Sequence, residues 1–165
     1  MVSTDASAQM TGMARAGAEA RNLTNVKFAT VSGDADGLAE AIGVEEGSVD
    51  VVVMCFSLMF VPDKQKCLES VAGLLKKNGK LLVAVLKELG LMTLISEAFS
   101  VVTGKAPAGP PPLNPLALRD PSALDFLVAG AGLAPASVDA LQYTSWVEVV
   151  PRRASRGSPP RVVQF

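Results

Sequence analysis

Val49-Asp50-Val51-Val52-Val53-Met54-Cys55-Phe56, followed by Pro62-Asp63, the stripe Cys67, Leu68, Val71, Leu74 and Leu75, and then Leu81-Leu82-Val83-Ala84-Val85-Leu86, decides the fold. The first run is β-branched and does not alternate, which predicts a strand covered on both faces. Pro62-Asp63 opens a helix whose apolar positions recur at the helical period. Lys76 and Lys77 fall in its expected last turn, where cations complement the helix dipole. Asn78-Gly79 then stops it with residues that tolerate a left-handed C-cap. Strand, helix, tight turn and strand in succession predict parallel strands joined by a crossover helix, an α/β architecture.

Working outward, the same alternation continues. Toward the amino end, Met10, Met13, Ala14 and Gly17 share one face of a helix from Ala8 to about Arg21, with Ser7 as its N-cap. Asn22 to Asn25 punctuates, Val26 to Val31 reads as a strand ending at Ser32-Gly33-Asp34, and Leu38 to Ile42 as a brief helix. Toward the carboxyl end, Leu91, Leu94, Ile95, Ala98, Phe99 and Val102 mark a helix ending at Gly104. Ala106 to Pro115 holds most of the prolines and is expected to be a loop of polyproline character. Asp120-Pro121 starts another helix, with Leu124, Leu127, Val128 and Ala131 facing the core and Gly130/Gly132 ending it. Ser137 to Val150 alternates as a strand would. The expected organisation is one domain over residues 1–150, then a basic tail over 151–165 rich in Ser, Pro and Gly, with Val162-Val163 returning to a sheet edge.

Composition narrows the function classes. The 165 residues hold 15 Lys+Arg and 16 Asp+Glu, a net charge of −1, so no cationic excess supports nucleic-acid binding. The apolar fraction of 49% and mean hydropathy of +0.34 suffice for a buried core. The absence of His removes His-based triads, His-assisted metal sites and the commonest general base. Cys55 and Cys67 sit among apolar residues and read as reduced core thiols. No apolar run is long enough for a transmembrane segment, and Met1 to Asp5 lacks a signal-peptide layout, so the expected location is cytoplasmic.

Ligands of open α/β sheets bind beyond the carboxyl ends of the strands. Three such places stand out: Thr4-Asp5-Ala6-Ser7, Gly33-Asp34-Ala35, and Cys55 to Asp63. Asp5-Ala6-Ser7-Ala8-Gln9-Met10 leading to Ala14-Arg15, then Gly33-Asp34-Ala35, then Val49-Asp50-Val51 with Phe56-Ser57-Leu58 and Val61-Pro62-Asp63, and finally Leu75 to Leu82, stand in family order. Together they resemble the class I methyltransferases that use S-adenosylmethionine, in particular the "type 11" small-molecule group that includes the quinone-biosynthesis enzymes. The resemblance runs from about Val2 to Trp146.

The resemblance implies a Rossmann-like sheet with helices on both faces, S-adenosylmethionine as cofactor and a small-molecule methyl acceptor. It implies no metal and assigns no catalytic residue. On it, Asp5 accepts both ribose hydroxyls beside Ser7, and Asp34 accepts the adenine amino group in the Gly33-Asp34-Ala35 loop, where the Ala35 backbone addresses a ring nitrogen. Met10 packs on the adenine face, and Cys55, Phe56 and Ser57 line the floor beneath the methionine part and the methyl. The acceptor is expected at Met59 to Pro62 and at Ala106 to Pro115, the latter lying over the cofactor cleft. Each residue also has a bland reading: a helix-terminal acid for Asp5, a turn residue for Asp34, core packing for Met10 and Cys55.

The sequence departs from the family in one element. The Gly-rich loop that closes the family's first strand has no counterpart, and the chain opens at what matches the second strand. A strand and helix of about 30 residues are thus unaccounted for, the size of one βαβ unit. The expectation is an incomplete domain, with the Val51–Phe56 strand pairing directly with Val2–Thr4 or left as an edge that favours self-association. Of the family's closing antiparallel hairpin only one strand is evident. Two functions compete: methyl transfer, and a non-catalytic or partner-binding relative. A nicotinamide-dependent reductase is disfavoured, since Gly-x-Gly-x-x-Gly and a phosphate loop are absent and Tyr143 is followed at the fourth position by Val147 rather than Lys.

Overall fold

The computed structural model describes residues 1–105, 114–135, 137–141, 146–149 and 161–164. In chain order the elements are β1 (Val2–Asp5), α1 (Ala8–Glu19), β2 (Lys27–Thr30), α2 (Leu38–Ile42), β3 (Val49–Cys55), a 3-10 turn (Leu58–Phe60), α3 (Lys64–Leu74), β4 (Leu75–Ala84), α4 (Gly90–Thr103), α5 (Pro121–Gly130), β5 (Trp146–Val149) and β6 (Arg161–Gln164). They fall into two units, Met1–Glu88 with Pro110–Pro135, and Leu89–Gly109 with Ala136–Phe165.

Local signals place most elements of the first unit. Ser7 caps α1, its Oγ accepting from Met10 N at 3.3 Å. The Thr11 hydroxyl, buried, donates back to Ser7 O at 3.0 Å. Asn22 takes a left-handed φ of 56°, which Asn tolerates, and turns the chain toward β2. Asp63 caps α3 by accepting from Lys66 N at 3.0 Å. Asp120 caps α5, with Pro121 in its first turn. Arg15 on α1 lies 5.3 Å from the centroid of the Phe28 ring on β2, a cation–π contact that ties helix to strand.

The parallel strands form two separate pairs. β1 pairs with β2 from Val2↔Lys27 to Asp5↔Thr30, and β3 pairs with β4 from Val49↔Leu75 to Cys55↔Ala84. Among the described residues β1 and β3 do not pair. The direct pairing of Val51–Phe56 with Val2–Thr4 therefore does not form, and each inner strand keeps a free edge.

The core lies on one face of β3–β4. Met54 joins Leu58, Met59, Cys67, Leu68, Val71 and Leu118, with Val52, Leu81, Val83, Leu124, Leu127, Val128 and Ala131 packed around them. The opposite face is open: Val51, Val53 and Leu82 are 50%, 65% and 52% exposed. This corrects the expectation of a strand covered on both faces. Successive strand residues point to opposite sides, and α3 and α5 pack on the Val52/Met54 side alone. Cys55, on the Val51/Val53 side, is accordingly exposed and not a core thiol, whereas Cys67 is buried.

The end of α3 is also corrected. The helix stops at Leu74, and Leu75 is already extended at φ −72°, ψ 139°. Lys76 and Lys77 therefore lie in β4 and not in a helical last turn, and Gly79 is not a left-handed cap. The register jumps from Val49↔Leu75 to Val51↔Lys80, so Lys76 to Gly79 form a bulge. A Cβ at Gly79 would come within 3.0 Å of Lys76 N, Lys76 O and Val49 O, which is why glycine stands there. Lys76 pairs with Asp50 across this bulge at 2.6 Å.

In the second unit, α4 ends at Gly104 with φ 67°, as its sequence predicts. β5 and β6 pair antiparallel, Trp146↔Gln164 to Val149↔Arg161, so the closing pair has two strands where the sequence showed one clearly. Of the expected Ser137–Val150 strand, residues 137–141 are not strand and 146–149 form β5, while 142–145 and 150 lie outside the described residues. Residues 106–113 and 151–160 lie outside the described residues, and with them most of the proline-rich loop and much of the basic tail. No helix among the described residues is long and apolar enough to cross a membrane.

Candidate functional site

Three strand ends of the first unit carry the residues singled out in the sequence. At the end of β1, Asp5 Oδ1 accepts from Ser7 N at 2.8 Å, the local turn that starts α1. Its other carboxylate oxygen takes no hydrogen bond among the described residues, and the residue is exposed. Ser7 spends its hydroxyl on the α1 cap. Met10 is 50% exposed in the first turn of α1, so its side chain is free of the core.

The loop after β2 is tied to α3. Asp34 accepts from the Ser32 hydroxyl on Oδ1 and from the Asp63 N–H on Oδ2 at 3.1 Å. These two donors, led by Ser32, hold its carboxyl below the usual carboxylate range, and the Lys66 ammonium adds to them. Lys66 itself pairs with the exposed Asp36 at 2.7 Å, and that bond raises its own pKa. Ala35 N–H donates to Ser32 O at 3.1 Å, closing the turn, so the backbone donor expected to face a ring nitrogen is engaged locally. Gly33 lies so close to α3 that a Cβ there would stand 2.6 Å from Cys67 Sγ. The Cys67 thiol is pushed up to about 11 by burial, with the Asp34 and Asp63 carboxylates adding to it, and it stays an uncharged packing group.

At the end of β3, Cys55, Phe56 and Ser57 are all exposed. Phe56 adopts φ 52°, a left-handed conformation that bulky residues rarely take, and its N–H donates to Ala84 O at 2.9 Å. The 3-10 turn that follows buries Leu58 and Met59 at 0% and 2% exposure and leaves Phe60 at 41%. Met59, expected among the acceptor-facing residues, is therefore a core residue. The adjoining Phe60 and Pro62 are the exposed positions of that stretch.

Sequence reasoning found Asp5, Asp34 and the β3 end but not how they are held. The Asp34–Asp63 contact joins residues 29 apart, and nothing local announces it. The left-handed Phe56 has no sequence signal either, since that conformation favours Gly and Asn.

Asp5 and Asp34 are the two ionisable acceptors at neighbouring strand ends. A carboxylate offers several lone-pair positions. Asp5 can still receive a hydroxyl, and ionised Asp34 retains capacity for one more donor. The residues present thus fit the adenosine half of a nucleoside cofactor. A hollow of about 290 Å³ lies instead beside the β3–β4 bulge, lined by Asp50, Val51, Lys76, Asn78, Gly79 and Lys80. It sits at the amino end of β3, away from the three strand ends, and two of the charges on its wall, Asp50 and Lys76, pair with each other.

A family model described as a methyltransferase domain matches residues 1–83, half of the chain. No curated protein matches it in sequence. Among solved structures the chain is similar to the YcgJ protein from Bacillus subtilis, with a TM-score of 0.55 and 17% identity over 89% of this chain and 57% of that one. It is also similar to the CMeT domain of the citrinin polyketide synthase, with a TM-score of 0.55 and 14% identity over 90% of this chain and 35% of that one. At these identities the likeness is one of fold, a Rossmann-like α/β arrangement. The chain spans little more than half of the first structure's length and about a third of the second's.

Proposed function

The chain belongs to the methyltransferase-domain family, and on that premise we propose that it binds S-adenosylmethionine and serves methyl transfer to a small-molecule acceptor. The observation that carries this reading is the pair of carboxylates at the carboxyl ends of two paired parallel strands. Asp5 ends β1 with one oxygen unengaged, and Asp34 follows β2 with its carboxyl held ionised. Asp5 holds the ribose hydroxyls, with Ser7 fixing its orientation through the turn. Asp34, steadied by Ser32 and Asp63, accepts the adenine amino group. Gly33 and Ala35 let the loop pass close, and exposed Met10 covers the ring face. Cys55, Phe56 and Ser57 lie toward the methyl. When bound, the cofactor supplies a methyl activated on its sulfonium, so the protein's task is to orient an acceptor in line with it. A chain without His is suited to acceptors that need little help losing a proton.

The finer assignment to the quinone-biosynthesis group remains part of this proposal, as does the completion of the sheet. We place a further strand, with its Gly-rich turn, between β1 and β3, where it would meet the cofactor's methionine carboxylate and amine. The free edges of both strands and the open Val51/Val53/Leu82 face support it, since unpaired strand edges and exposed apolar faces seek partners. The same open face favours a second reading, a non-catalytic subunit that binds a partner there.

Calorimetry with S-adenosylhomocysteine, titrated into the millimolar range with light scattering alongside, tests these readings. The 165-residue chain should bind weakly and self-associate. Asp5→Ala and Asp34→Ala should each weaken binding about tenfold, the worth of one charge-assisted hydrogen bond. Unchanged affinity in both variants removes the carboxylate assignment, and micromolar binding by a monomer removes the added strand.

A further inference from the structure

Helix α4 of the second unit turns its apolar period outward. Ile95, Ala98, Phe99 and Val102 are all exposed and stand at i, i+3, i+4 and i+7, so they form one stripe along the helix. Ile95 and Phe99 are 53% and 45% exposed, and Val102 is 84% exposed. Ser96 and Ser100, off the stripe, are partly buried. A helix on the surface of a globular protein in water shows the reverse arrangement, apolar side in and polar side out.

The rest of the helix surface is rich in hydroxyls and nearly free of charge. Ser100 Oγ donates to Ser96 O at 3.0 Å and Thr103 Oγ1 to Phe99 O at 2.7 Å, so both hydroxyls are satisfied within the helix. Glu97 is the one charged residue from Gly90 to Thr103, and it lies two positions from both Ile95 and Phe99, which turns it away from the stripe. A protein partner would find no ion pair on this face by which to fix its register. The boundary between lipid headgroups and acyl chains needs none. The 14 residues of α4 span about 21 Å at helical rise, short of the roughly 30 Å hydrocarbon core, so the helix can lie in that boundary but not cross it. Charge points the same way. The second unit holds five Lys and Arg against three Asp and Glu, whereas the first holds ten against thirteen. Two copies meeting through α4 would set positive unit against positive unit, but an anionic surface attracts it.

We propose that α4 docks the chain on the surface of an anionic lipid bilayer, lying in the plane of the interface with the Ile95–Ala98–Phe99–Val102 stripe among the upper acyl chains and Glu97 toward water. The stripe supplies the apolar burial that holds the helix there, and the positive charge of the second unit supplies the preference for anionic headgroups. Neither depends on the cofactor reading.

Co-sedimentation of the full chain with sucrose-loaded vesicles tests this, using phosphatidylcholine alone and an equal mixture of phosphatidylcholine and phosphatidylserine. The wild-type chain should partition onto the mixed vesicles at least fivefold more strongly than onto the neutral ones. The double variant Ile95→Ser/Val102→Ser should lose at least tenfold of that partitioning, with circular dichroism showing whether it remains folded. Glu97→Gln, on the water side, should stay within twofold of wild type. A wild-type chain that sediments with neither vesicle overturns the proposal, as does a folded double variant that binds as well as wild type. Equal binding to both vesicles overturns the anionic preference. Light scattering without lipid covers the remaining occupant: self-association that the double variant abolishes, in a chain that ignores vesicles, would give the stripe to a second copy and overturn the proposal.

Discussion

The two strand pairs of the first unit repeat one motif but are held by different means. β3 and β4 share six registered positions and lay Val52, Met54, Leu81 and Val83 onto the buried cluster around Leu58 and Leu68. β1 and β2 share four, and neither strand contains a buried residue. α1 covers them with Thr11 and Ala18 as its buried positions. One half is secured by burial, whereas the other relies on its ladder, a cap, a cation–π contact and a few ties to α3. Asp5 and Asp34, the carboxylates of the proposed site, sit on the less buried half. Elements with few buried contacts open at lower free energy, so the proposed adenosine site depends on the other half to hold it still.

Cutting into the core of the β3–β4 half should produce the largest effect. Leu68→Ala removes a side chain with 0% exposure and is expected to cost about 2–5 kcal/mol, the range for leucine truncation in a close-packed core. Urea unfolding followed by circular dichroism measures it. A loss below about 1 kcal/mol would mean that this half is no better packed than the other.

A smaller effect is expected where the halves meet. The Cβ of Gly33→Ala would stand 2.6 Å from Cys67 Sγ, and that sulfur is fully buried and unable to step aside. Overpacking of this kind costs about 1–3 kcal/mol. Adding Cys67→Ala should return part of that loss, so the double variant should be more stable than the sum of the singles predicts. Strict additivity would show that the β2 loop does not rest on α3 through this contact.

The smallest effect on stability is expected on the open face. Val53→Asp, at a position 65% exposed, should change stability by less than about 0.5 kcal/mol, as surface substitutions do. It should nevertheless reduce self-association in sedimentation velocity, because it places a charge on the uncovered apolar surface. Unfolding by Val53→Asp would instead mean that the face is covered in solution.

Much of the element order was legible because its signals are local. Ser7, Asp63 and Asp120 are N-caps wherever a helix follows, Pro121 suits a first turn, and Gly104 suits a left-handed end. The α3–β4 junction was misread for a similar reason. Lys-Lys-Asn-Gly is an ordinary helix ending, but Gly79 is needed for its close approach to Val49 O across the bulge, a contact made with another strand. At the site, the identities of Asp5 and Asp34 were legible, and their restraint was not. Asp34 is held by an N–H that lies 29 residues away in the chain.

By itself the sequence determined most of the helices and strands of the first unit, that those strands run parallel through helical crossovers, and the family to which the chain belongs. These follow from periodicity, caps and ordered motifs, all written within a few residues of each other. Only the tertiary structure decided that β1 and β3 remain apart, and that Val51, Val53 and Cys55 face outward while Met59 and Cys67 are buried. It alone showed that Phe56 turns left-handed between β3 and the 3-10 turn. A β-branched run carries the same pattern whether one face or two are covered. What chooses between them is the set of helices that arrive to pack against it, and here α3 and α5 both arrive on the Met54 side.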